Sequence, residues 1–196
     1  MHVLSFRPEV ILYIYMASCL SVLVFNILYI FADKYKGRAL EKRSLSFVGE
    51  ISAQIERLKE AGEPEAAHYK RLRKELKNPE KLRAFEYSVL TVKQQAPEEY
   101  TAEYLRSLRG VFLELAGVYR KRDTIEQAYF ASLVEKFGID KGHTAYDGLM
   151  DFMIRMVVHK GVFVRENALR ALYMIGNKEA VLAAWEKMED NEICHS

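Results

Sequence analysis

The stretch VILYIYMASCLSVLVFNILYIFA, residues 10–32, carries no charged side chain across 23 positions. It is closed by Glu9 on one side and Asp33-Lys34 on the other. At about 1.5 Å per residue a helix of this length extends ~34 Å, enough to cross a hydrocarbon core of about 30 Å. A secretory signal peptide has a shorter apolar run and a small-x-small cleavage site. Here the run ends in Tyr29-Ile30-Phe31-Ala32 without one. The reading is a retained transmembrane helix over 10–32, preceded by a short N-terminal flank, 1–9.

The flanks orient it. Residues 1–9 hold Arg7 opposed by Glu9, whereas 33–43 hold Lys34, Lys36, Arg38, Lys42 and Arg43. Lys and Arg resist translocation, so the expected topology is single-pass, with the N-terminus outside and the C-terminal part cytoplasmic. Tyr13 and Tyr15 near one end, and Tyr29 and Tyr35 near the other, suit interfacial aromatic belts. Ala17 and Ser21, four apart, share a face that a second helix could approach, and Asn26 adds a polar group.

Beyond residue 32 the chain carries 28 Lys and Arg against 26 Asp and Glu, a balance unlike that of a dedicated nucleic-acid binder. Its 164 residues suffice for a domain with its own core. The two cysteines, Cys19 in the apolar run and Cys194 beside His195, offer neither a disulfide on this topology nor the spaced ligands of a zinc site.

The apolar pattern after the span has helical period throughout, with no alternation long enough for a strand. Residues 33–62 read as a juxtamembrane segment whose helix, 37–61, carries the stripe Ser44, Phe47, Val48, Ile51, Ile55 and Leu58 toward the domain behind it and stops at Gly62. A basic helix follows from Pro64 to Lys77. Asn78 caps a third, with Pro79 at its first position and Leu82, Phe85, Val89 and Leu90 as its buried face. Pro97 opens the next element, and one apolar stripe from Tyr104 to Val118 predicts a long helix through residue 119. Asp123 caps a helix carrying Ile125, Ala128, Tyr129, Leu133 and Phe137, ended by Gly138. Thr144 or its neighbours start the next, and Gly161 breaks it. The last two helices are 164–175 and 178–190, separated by Gly176 and the cap Asn177 and closed by Asn191.

Val164-Arg165-Glu166-Asn167-Ala168-Leu169-Arg170-Ala171-Leu172 resembles the second helix of a HEAT repeat, whose pattern is V-R-x-x-A-x-x-A-L, and Asn177 to Trp185 looks like the start of a following repeat. The resemblance is clearest over 145–190. It implies an all-α chain: one N-terminal transmembrane helix, then an armadillo-like helical-repeat domain, an α-solenoid, over 63–196. Residues 101–120 with 123–138, and 145–160 with 162–176, would be successive repeats. In that family Arg165 would pair with an acidic residue, but the turn Asp before Val-Arg is missing from His159-Lys160-Gly161. Val181, Leu182, Trp185 and Met188 would be half covered, so the array is expected to be truncated at its C-terminal end or capped by a partner.

Catalytic constellations are missing: the chain has no GxxxxGK[ST], GxGxxG, GxSxG or HExxH. His68 lacks the following acidic residue of a sensor-kinase histidine. His143 and His159 read as loop or helix-end residues with no orienting partner. No catalytic, cofactor-binding or metal residue is assigned, and no small-molecule substrate or nucleic acid is expected. The basic helix Lys70–Lys77, with Arg120-Lys121-Arg122, is either a solvated face or a contact with anionic lipid. The expected function is a non-enzymatic, membrane-anchored scaffold or adaptor that binds protein through helical repeats. The alternative is an accessory subunit that also contacts a membrane enzyme or transporter through the span.

Overall fold

The computed structural model describes residues 8–193, which form nine α-helices and no β-strand. The N-terminal flank through Arg7, the Cys194–His195 pair and the side chains of Tyr35 and Lys36 lie outside the described residues. The chain divides into two compact units after Lys42.

The first unit holds the apolar part of α1 (Pro8–Ala61). Its segment Glu9–Phe31 has a mean hydropathy of 2.2 and is long and apolar enough to cross a membrane. Every side chain from Val10 to Phe31 is exposed, so nothing among the described residues covers this apolar surface. Separate helices were expected over 10–32 and 37–61. Instead α1 runs unbroken, because 33–36 contains no breaker and Gly37 lowers helix propensity by only ~1 kcal/mol.

The second unit begins at Arg43. There α1 buries Phe47, Ile51, Ile55 and Leu58, and Gly62, at φ +79°, ends it. The basic helix is α2 (Ala66–Glu75), shorter than expected, with His68 and Leu72 inward. Asn78 caps α3 (Pro79–Gln95) by accepting the amides of Glu80 and Lys81 at 2.9 and 3.4 Å. Its buried face is Leu82, Ala84, Phe85, Ser88, Val89 and Val92. Leu90 is only half-buried.

The single long helix expected through residue 119 is two, α4 (Glu98–Ser107) and α5 (Arg109–Tyr119). Ser107 Oγ donates to the Tyr104 carbonyl at 2.6 Å, and the Leu108 amide donates to Leu105 three residues back. Leu108 itself sits at φ −78°, ψ 0°. A hydroxyl competing for a ladder carbonyl tightens and ends the turn there. Val118 is half-buried, and Tyr119 fills the core instead.

Asp123 caps α6 (Thr124–Phe137), and Gly138, at φ +64°, ends it. Ile125, expected inward, is 73% exposed, and Tyr129 is half-buried; the inner face is Ala128, Phe130, Ala131, Leu133, Val134 and Phe137. Asp147, not Thr144, caps α7 (Gly148–Met156). α8 (Val162–Ile175) buries Val164, Ala168, Ala171, Leu172 and Ile175, and α9 (Lys178–Ile193) runs past Asn191.

Several helices of this unit lie side by side and run parallel. α5 and α7 start together: Arg109 pairs with Asp147, and a Cβ on Gly148 would lie 3.3 Å from Leu113 Cδ1. α6 and α8 match at both ends. A Cβ on Gly161 would lie 3.0 Å from Thr124 Cγ2, Asn167 Nδ2 donates to the Ala128 carbonyl at 3.0 Å, and the Gly142 amide donates to the Ile175 carbonyl at 2.9 Å. Asn177 Nδ2 ties the start of α9 to the Thr144 carbonyl before α7 at 2.7 Å. α2 follows α5 through Arg73–Glu114 at 3.1 Å and Tyr119 Oη to the Leu76 carbonyl at 2.8 Å.

A continuous run of aromatic rings threads these helices. Phe47 meets Phe85, Phe85 meets Phe137, and Phe137 meets Phe112, with centroids 5.7–6.2 Å apart. Phe112 continues to Phe130, which stacks on Tyr119 at 4.8 Å and meets Phe152 edge-on at 5.5 Å. Such pairs add ~0.5–1.5 kcal/mol each beyond area burial. Phe130 sits at the branch, fully buried. Phe130→Ala is expected to cost about 3–5 kcal/mol, measured by thermal unfolding in mild detergent, whereas Ile125→Ala should cost under about 0.5 kcal/mol.

Candidate functional site

Three places concentrate polar chemistry. The first is a charge node at the α6–α7 connection. Gly138 and Asp140 both take left-handed backbone, at φ +64° and +69°, folding residues 138–147 back over the start of α5. Arg109 lies within the fold of that loop. Its Nε donates to Asp140 Oδ1, and its Nη2 reaches both Asp147 Oδ2 and, at 2.7 Å, His143 Nε2. Because the guanidinium can only donate, His143 accepts through Nε2. Asp147 uses its other oxygen to cap α7. Asp140 is buried, and its Oδ2 has no partner among the described residues. Burial pushes this carboxyl above the ordinary aspartate range, against the pull of Arg109.

Asp140, His143 and Asp147 place one ligand atom each within 4.8 Å of one another. Their i, i+3, i+7 spacing was a sequence signal that motif-by-motif reading passes over. Three such ligands would suit a divalent ion. The Arg109 guanidinium stands among them, donating to all three, and its positive charge opposes a cation. The residues fit an arginine-centred ion-pair node better than a metal centre. His143, expected to lack an orienting partner, has one in Arg109, from a helix more than thirty positions earlier in the chain.

The second place is a neutral buried pair. His68 Nε2 lies 2.9 Å from Tyr104 Oη, between α2 and α4. Burial, helped by the Arg71 charge, lowers the His68 pKa from 6.5 to about 4, and burial raises that of Tyr104 well above the ordinary phenol range. His68 is therefore a core residue, not a solvent-facing phosphoacceptor. His159 closes a local turn, its Nδ1 accepting the Gly161 amide at 3.0 Å.

The third place is the basic helix, which the structure divides by residue type. Arg71 pairs with Glu50 and Glu75, and Arg73 with Glu114. Lys70, Lys74 and Lys77 are exposed and make no ion pair among the described residues. With Ala67, Asn78 and Lys81, Lys70 and Lys74 border a shallow open recess between α2 and the start of α3. Arg165, whose expected acidic partner is missing, donates instead to the carbonyls of His159 and Lys160 at 2.8 and 3.3 Å, tying α8 to the α7–α8 turn.

Compared with known protein families, with curated proteins and with solved structures, the chain matches none.

Two outcomes test these assignments. Arg109→Ala leaves Asp140 buried without its donor and is expected to cost about 2–3 kcal/mol, with Zn2+ and EDTA leaving the wild-type melting temperature unchanged. For His68 the folded pKa lies below the unfolded value. The unfolded state therefore binds the extra proton, and stability falls as pH drops from 6.5 toward 4. The expected loss is about 2 kcal/mol after solvent screening, and His68→Gln should remove that part of the pH dependence in unfolding curves recorded between about pH 7 and 4.5.

Proposed function

We propose that this chain is a membrane-anchored scaffold. Its apolar N-terminal helix crosses the bilayer, its N-terminus lies outside, and its second unit is a cytoplasmic HEAT-like array that binds a protein partner. The observation that carries the reading is the parallel stacking of alternate helices, with α5 beside α7 beside α9 and α6 beside α8. In a helical-repeat protein each two-helix unit packs on the next in this register, so that first helices line one layer and second helices the other. The resemblance of Val164–Leu172 to a repeat's second helix supports it, and so does the burial of Val164, Ala168, Ala171 and Leu172 between neighbouring helices. Repeat arrays bind through extended faces and not through enclosed pockets. Leu182 and Trp185, exposed on α9, and Tyr173, exposed on α8, offer the aromatic and aliphatic anchors that such faces use.

The alternative, an accessory subunit engaging a membrane enzyme or transporter through the span, draws on Ala17, Ser21 and Asn26. Affinity isolation of the full chain in mild detergent tests the scaffold. A defined partner should be recovered, and Leu182→Glu with Trp185→Ala should lose it while the melting temperature holds. Replacing residues 10–32 by an unrelated span should leave recovery intact; its loss would favour the accessory-subunit reading. Alkaline carbonate releasing the intact chain from membranes would remove the anchor altogether.

A further inference from the structure

Three inter-helix turns of the second unit lie side by side: α2–α3, α5–α6 and α7–α8. Arg122 Nη2 donates to the Lys77 carbonyl at 3.1 Å, joining the first turn to the second. Gly161 packs so closely on Thr124 that a Cβ there would sit 3.0 Å from its methyl, joining the second to the third. Two kinds of side chain project from this edge. Ile125, Val162 and Phe163 are apolar and 73%, 59% and 76% exposed, all at the starts of α6 and α8. Lys77, Arg120, Lys121 and Lys160 are exposed cations with no ion pair among the described residues. The nearest carboxylates are already engaged: Asp123 caps α6, and Glu126 pairs with Arg122 at 3.7 Å.

We infer that this edge docks onto an anionic lipid surface. Phe163, Val162 and Ile125 enter the headgroup–acyl boundary, and the surrounding lysines and arginines meet lipid phosphates and carboxylates. The edge is complementary to such a surface in shape and charge. The apolar groups protrude at helix starts and form no groove, so they match a soft, continuous acceptor better than a shaped protein pocket. Protein interfaces deplete Lys at their centres, whereas interfacial membrane contacts combine protruding Phe and aliphatic residues with a Lys/Arg rim. An aliphatic-aromatic tip has no matching surface on a nucleic-acid backbone, and the chain's net charge is only +2. This inference rests on the membrane-anchored reading above, since a chain carrying its own span meets lipid at high effective concentration.

The test uses the full chain reconstituted in vesicles, with Phe163→Trp as reporter and Trp185→Phe to remove the single native tryptophan. Phe163 is exposed, so the reporter should leave the fold intact, which circular dichroism checks. In vesicles with about 30 mol% phosphatidylserine, the reporter's emission should be blue-shifted and quenched by lipids brominated near the headgroup, and far less so in phosphatidylcholine alone. Each cation near an anionic surface is worth about fivefold, so Lys121→Glu with Lys160→Glu should lower the docked-to-undocked ratio by more than about tenfold, as should molar salt. A water-exposed, unquenched reporter in both lipids would overturn the inference. So would quenching indifferent to lipid charge, or shielding that follows protein concentration and reports a protein or second copy on this edge. Co-flotation with vesicles separates the two readings: a chain that floats with its reporter in water loses only the docking edge, whereas one that fails to float loses both.

Discussion

The ring at position 130 is where the second unit is held together. Phe130 touches Tyr119, Phe112 and Phe152 at once, and through Phe112 and Phe137 the contact reaches Phe85 and Phe47. Short helices such as these are marginal alone and draw their stability from the faces they bury against one another. A connected aromatic seam supplies that burial across α1, α3, α5, α6 and α7, and its edge-to-face and stacked contacts fix which residues of each helix can face inward. Ile125 and Tyr129 are displaced from the core for this reason: once Phe130 and Phe137 occupy the seam, the helix is rotated to present them.

Polar groups inside this apolar frame are handled in two opposite ways. At the α6–α7 connection charge is kept and answered, Arg109 holding two carboxylates and an imidazole in a loop whose backbone is strained at Asp140. Between α2 and α4 charge is avoided, and His68 and Tyr104 form an uncharged pair. Apart from Asp140 Oδ2, which has no partner among the described residues, the buried polar atoms are satisfied locally, with side chains turned toward one another. They serve the positioning of helices, and they direct attention to the surface.

On that surface the cations divide by role. Arginines 71, 73, 109, 122 and 165 are tied into ion pairs or backbone carbonyls, in keeping with a planar fork that can satisfy two acceptors at once. Several lysines of the same helices and turns make no ion pair among the described residues, and they stand next to apolar side chains that nothing described in the unit covers. A membrane tether, a protein-binding array and a lipid-docking edge are compatible uses of one such chain, because each draws on a different surface.

How much was legible in advance follows from how far each feature reaches along the chain. The apolar length of residues 10–31, the caps at Asn78, Asp123 and Asn177, and the stops at Gly62, Gly138 and Gly176 depend on neighbours within a turn or two, so the amino-acid order alone declares them. The buried face of α8 was readable for the same reason, since small and branched side chains at helical spacing specify a packing face locally. The division at Leu108 was not, because a single hydroxyl, Ser107, turns the chain inside an otherwise continuous stripe. Nor was the node at Arg109, whose partners Asp140 and Asp147 stand 31 and 38 positions away. The lysine-rich edge with Ile125 and Phe163 likewise exists only once three turns are folded together. Local periodicity determines what each helix is; only long-range packing decides which of its residues meet.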